Sequence, residues 1–105
     1  MEEKSMEVIV MELVVGGGNA RSLALEALHA ARENNFEKAD KLLAECDEAL
    51  LKVHEIQTDL IQKEAAGKHM EVQLLMVHAQ DHLMNAMTVR DLSGEIVEIL
   101  RKNVQ

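Results

Sequence analysis

The chain has 105 residues, a formal net charge of −8 and one cysteine. This is one domain's worth of sequence, residues 1–105, too short to bury a large core without association. The acidity excludes nucleic acid and anionic membrane surfaces, which call for clustered Lys and Arg. The lone Cys46 excludes a disulfide framework and fits a reducing, cytoplasmic setting.

Apolar residues make up 48% of the chain, yet there is one Phe, no Trp, no Tyr and no Pro. A core of Leu, Val, Ile, Met and Ala with few breakers predicts an all-α fold of long helices. The N-terminal run MEEKSMEVIVMELVV is acidic from its start and carries Glu7 and Glu12 inside its apolar part. It is read as neither a signal peptide nor a membrane span.

The first predicted helix covers about 4–33 and is interrupted by Gly16–Gly18. Each glycine costs about 1 kcal/mol relative to Ala in a helix. The triplet therefore marks either a break or a site of close backbone approach. Arg21 follows it, and its guanidinium suits a phosphoryl group, the plainer reading being a surface ion pair.

The second helix is predicted over about 35–65, with Asn34 and Glu37 as a capping pair. Phe36, Ala39, Leu43, Cys46, Leu50, Val53, Gln57 and Leu60 follow alternating steps of three and four. That is a heptad seam with one polar member, Gln57. Cys46 on this seam is expected in the core, not as a redox centre. Gly67 is the expected C-terminal cap.

The third helix is predicted over about 69–102. Met76, Ala79, Leu83, Ala86 and Met87 fill one broad side, and Val77 and Met84 lie on a second. Leu74, His78, Asp81, His82 and Asn85 share an arc about 100° wide. A helix this apolar needs more burial than a three-helix monomer supplies, and copies around a symmetry axis provide it. Short connections predict an antiparallel up-down-up bundle with the first and third helices parallel. The glycine run then falls level with about residues 80–82.

The stretch LLMVHAQDHLM raises the question of what His78, Asp81 and His82 do. A polar stripe facing solvent, or buried histidines bonded to carbonyls, is one answer. A metal site is another, since residues four apart share a helix face. HAQDH also has the shape of H-x-x-E-H with Asp for Glu, but a chain this small lacks room for such a protease. A nucleophilic imidazole that takes up a phosphoryl group is a third. It needs no nucleotide pocket, and the chain has no phosphate-binding loop motif. A structural coiled-coil module is the fourth. Gln80 points away from His78 on the wheel, His29, His54 and His69 fall outside the motif, and the seven Met residues are mostly core.

NARSLALEAL at 19–28, HEIQTDLIQKEAAG at 54–67 and above all VQLLMVHAQDHLMNAM at 72–87 carry a resemblance. The chain resembles the IIA proteins of the lactose/cellobiose (chitobiose) class of the bacterial phosphoenolpyruvate-dependent sugar phosphotransferase system. The resemblance implies a three-helix subunit assembled as a homotrimer, nine helices in all. It implies that His78 accepts a phosphoryl group from the carrier HPr and passes it to a cysteine of the IIB component. It assigns Asp81 to a Mg²⁺ on the trimer axis and His82 to neighbouring support. Only the resemblance selects His78 over His82. GGGN stands where relatives commonly carry a stretch like NAG. The competing expectation is a metal-binding helical scaffold without phosphotransfer.

Overall fold

Three helices account for almost all of the chain in the computed structural model, which describes residues 4–104. They are α1 (Met6–Arg32), α2 (Phe36–Ala65) and α3 (Leu74–Val104), in an elongated bundle of 54 × 23 × 21 Å. Ser5 caps α1 by accepting from the Val8 N–H at 3.2 Å, and Glu7 sits in the first turn, where an acid opposes the positive helix end.

The glycine run does not break α1. The helix continues through it to a Schellman motif, in which the Asn34 N–H donates to Ala31 O and the Asn35 N–H to Ala30 O, both at 2.9 Å. Asn34 takes the left-handed conformation, φ 63°. The expected Asn34–Glu37 capping pair is thus displaced by one residue. Asn34 ends α1, and Asn35 begins α2 by accepting from the Lys38 N–H. Asn tolerates both positions, which is why two in a row suffice to turn the chain. α2 ends in a second Schellman motif at Gly67, φ 88°, with Lys68 donating to Lys63 O at 2.9 Å.

α3 starts at Leu74, five residues later than the spacing predicts. Met70 explains the delay. In a continuous helix it would lie opposite the buried face of α3. Leaving the helix lets it pack against the cluster of Val10, Leu13, Val53 and Met76.

α1 is the central element, packed along both partners, whereas α2 and α3 touch far less. Its buried residues beyond Leu13 are small, Gly17, Ala20, Ala24, Ala27, Ala30 and Ala31, which lets the backbones close in. Cys46 is fully buried in the middle layer with Ala20, Ala24 and Ala86, and its thiol donates to Ala20 O at 3.1 Å. The predicted α2 seam faces the bundle: Ala39, Leu43, Cys46, Val53 and Gln57 are buried, and Phe36, Leu50 and Leu60 are half-buried. Polar links join α2 and α3 beside their shared apolar clusters. Arg90 grips Asp47 through two bonds of 2.5 and 3.0 Å. Arg101 bonds Asp40 and lies over the Phe36 ring, 5.2 Å from its centroid.

α1 is long and apolar enough to cross a membrane by length and composition, but its buried face is the packing surface for α2 and α3. Its other face leaves Val8, Met11 and Val15 exposed.

Candidate functional site

The site is built on the first three turns of α3. Met76, Ala79 and Leu83 anchor those turns in the core. His78, Asp81 and Asn85 consequently face outward and are exposed, while His82 is half-buried at the edge of the α1 contact. The i, i+4 spacing stacks the two imidazoles. Their centroids are 4.6 Å apart with the planes at 76°, an edge-to-face pair.

Each glycine of the run has a different neighbour. A Cβ on Gly16 would overlap Val53 Cγ2 of α2. A Cβ on Gly17 would sit 3.3 Å from the carbonyl of His82 and from Leu83 N. A Cβ on Gly18 would meet nothing within 4 Å. The triplet is therefore a close approach on two sides and an open surface on the third. It seats α1 against the backbone that carries the histidine pair, at the level expected from a parallel arrangement.

Gln80 points to the opposite side of α3, toward α2. Its carboxamide oxygen accepts from Gln57 Nε2 at 2.8 Å, and the sulfurs of Met84 and Met76 accept from Gln57 and Gln80 at 3.5 and 3.6 Å. These bonds satisfy the one polar group on the α2 seam and fix the rotation of α3 that turns the histidines outward. Sequence reading found Gln57 as an intrusion and Gln80 as remote from His78. It did not pair them, although both occupy the same level of antiparallel helices.

The remaining histidines lie apart from this site. His29 and His54 are exposed, and His69 is bonded to Glu64 in the α2–α3 connection. Among the described residues, no three of His, Cys, Asp and Glu come together as a metal site within one chain.

The geometry presents two adjacent imidazoles and a carboxylate on an exposed helix face beside apolar Leu74, Leu75 and Val77. Such a face suits exchange of a group with another protein surface. Residues 8–101 match the family model of the lactose/cellobiose-specific IIA subunit of the phosphotransferase system. The chain belongs to this family. It is 52% identical over 99 residues to the lichenan-specific phosphotransferase enzyme IIA component of Bacillus subtilis (strain 168), an alignment spanning 94% of this chain and 90% of that protein. The crystal structure of the cellobiose-specific enzyme IIA from Bacillus anthracis superposes with a TM-score of 0.90 at 42% identity, covering 96% and 93% of the two chains. The IIA(chitobiose) structure from Escherichia coli, solved in solution as a complex with HPr, superposes with a TM-score of 0.84 at 38% identity, covering 98% and 100%. As a IIA family member the protein is a phosphotransferase component of sugar transport. The expectation of a phosphotransfer-free metal scaffold has no support in these relatives.

Proposed function

We propose that the protein is a cytoplasmic phosphohistidine carrier that accepts a phosphoryl group on His78 from HPr and delivers it to a cysteine of a IIB component. The observation that carries this reading is the exposure of His78 on a helix face that the core holds rigidly. A neutral imidazole nitrogen attacks the phosphorus of phosphohistidine in line. The N–P bond of the donor breaks as the N–P bond to His78 forms. In the second transfer that bond breaks and an S–P bond forms on the cysteine. No nucleotide or cofactor is needed, because the phosphoryl group arrives activated. His82, edge-on to His78, supports the acceptor ring rather than receiving the group. The sugar is of the lactose, cellobiose or chitobiose type, in keeping with relatives named for lichenan, cellobiose and chitobiose.

The working unit in this reading is a homotrimer. Leu74, Asp81, Asn85, Thr88, Leu92, Glu95 and Ile99 recur at steps of three, four or seven along the outward face of α3 and are all exposed in the single chain, while His78 lies at the edge of this line, about 60° round from Asp81, where it stays open to a partner. Leu74 is 84% exposed and Ile99 58%. Burying such a seam against its own copies is the expected remedy. It would bring three Asp81 carboxylates together on the axis. A hard oxygen donor set of this kind suits Mg²⁺, which neutralises carboxylate repulsion when bound.

Intact mass after incubation with phosphoenolpyruvate, enzyme I and HPr tests the carrier reading. One added phosphoryl group, acid-labile and absent from His78→Ala, is the expected result. No added mass on the unaltered protein would refute it. Modification persisting in the Ala variant would move the acceptor to another residue.

A further inference from the structure

The geometry points to Arg21 as a residue that binds the phosphoryl group in transit through the histidine site. This inference rests on the carrier reading above. α2 packs on the Gly16 side of α1, against Val53, and on the Gln80 side of α3, through Gln57. Gly17 marks the line of contact between α1 and α3 at the peptide joining His82 to Leu83. Arg21 is four residues beyond Gly17, about 40° further round and about 6 Å further along the helix. It lies on the side of that line away from Gly16. His82 lies on the side of α3 away from Gln80. Arg21, His82 and His78 thus share the face of the α1–α3 pair turned away from α2.

A helical side chain leans over the turn that precedes it. For Arg21 that turn holds Gly17 and Gly18, which have no side chains, and the space above Gly18 is open. The guanidinium is free to reach toward the imidazoles.

Its charge is not otherwise engaged. Arg90 and Arg101 are each held by carboxylates, whereas Arg21 is exposed and forms no ion pair among the described residues. The plainer expectation of a surface ion pair is therefore not met. Elsewhere on these two faces cations are scarce. α1 has no other Lys or Arg before Arg32, and α3 has none before Arg90. In a chain of net charge −8, a dianionic phosphoryl group beside Asp81 has in Arg21 the one nearby guanidinium. The fork geometry of that group matches two phosphoryl oxygens.

The test is single-turnover transfer from phospho-HPr to this protein, with Arg21→Gln and Arg21→Lys beside the unaltered chain. It is paired with ³¹P NMR titration of the phosphohistidine. Arg21→Gln is expected to slow uptake by roughly 10- to 100-fold with helix content and sedimentation unchanged. Arg21→Lys falls between. A guanidinium favours the dianion, so its loss moves the phosphoryl titration midpoint to higher pH. That shift is a readout a structural role for Arg21 would not move, and Arg21→Met, also uncharged, supplies it should Arg21→Gln fold poorly. If the unaltered protein takes up the group and the variants match it in rate and midpoint, Arg21 has no such role and the carrier reading survives. If the unaltered protein takes up no phosphoryl group, both fall together.

Discussion

His78 and Cys46 show how one helix bundle gives two nucleophilic side chains opposite fates. His78 stands on the outward face of α3, open to a partner. Cys46 has no exposed surface, and burial, with the charge of Asp47 second, pushes its thiol above the ordinary range. The raised value means that the folded state keeps its proton while the unfolded state ionises first. The thiol's contribution to stability is then intact below about pH 8.5 and shrinks as pH rises beyond it. Denaturation at pH 7 and pH 10 should show a loss at the higher pH that is smaller in Cys46→Ala. Alkylating agents should leave the native thiol untouched and label it on unfolding. Rapid native labelling would contradict the packing of the Ala20–Cys46–Ala86 layer.

At the scale of elements, the glycine run sets opposite signs for identical substitutions. Gly16→Ala drives a Cβ into Val53, a buried β-branched side chain with little freedom to move, and should destabilise by about 1–3 kcal/mol. Gly18→Ala meets open space and should gain up to about 1 kcal/mol from helix propensity. Chemical denaturation at one fixed protein concentration compares the two, and equal effects would show that the three glycines are not distinguished by their neighbours. The α1–α2 turn offers a second comparison. Asn34 is left-handed, so Asn34→Ala should cost about 1 kcal/mol, while Asn34→Gly should be at least as stable as the unaltered chain.

At the scale of the whole molecule, the single chain leaves apolar surface uncovered on α1 and α3, at Met11, Val15, Leu74 and Leu92 among others. In the proposed trimer, association around the α3 seam would cover the α3 part of this surface and would make Asp81 its most sensitive position. Asp81→Leu replaces mutual repulsion with apolar contact and should leave a trimer in sedimentation. Asp81→Lys puts three cations on the axis and should dissociate it. An intact trimer for the Lys variant would place Asp81 off the axis. Adding a chelator to the unaltered protein should weaken the trimer without abolishing phosphorylation of His78.

The helices themselves were legible in the pattern of residues. The α2 seam, the buried side of α3 and the outward arc of Leu74, His78, Asp81 and Asn85 follow from helical period and hydrophobicity alone, because a helix fixes which residues share a face. The level of the glycine run beside His82 followed from counting residues along parallel helices. Other features needed the tertiary structure. The start of α3 depended on where Met70 finds its contacts, a non-local preference that overrides helical continuity. The shift from Asn34 to Asn35 depended on backbone dihedrals that two adjacent asparagines do not reveal. The pairing of Gln57 with Gln80, and the different neighbours of Gly16, Gly17 and Gly18, arise only when helices distant in sequence meet at a fixed rotation. Local period determines what each helix presents, and packing decides what it is presented to.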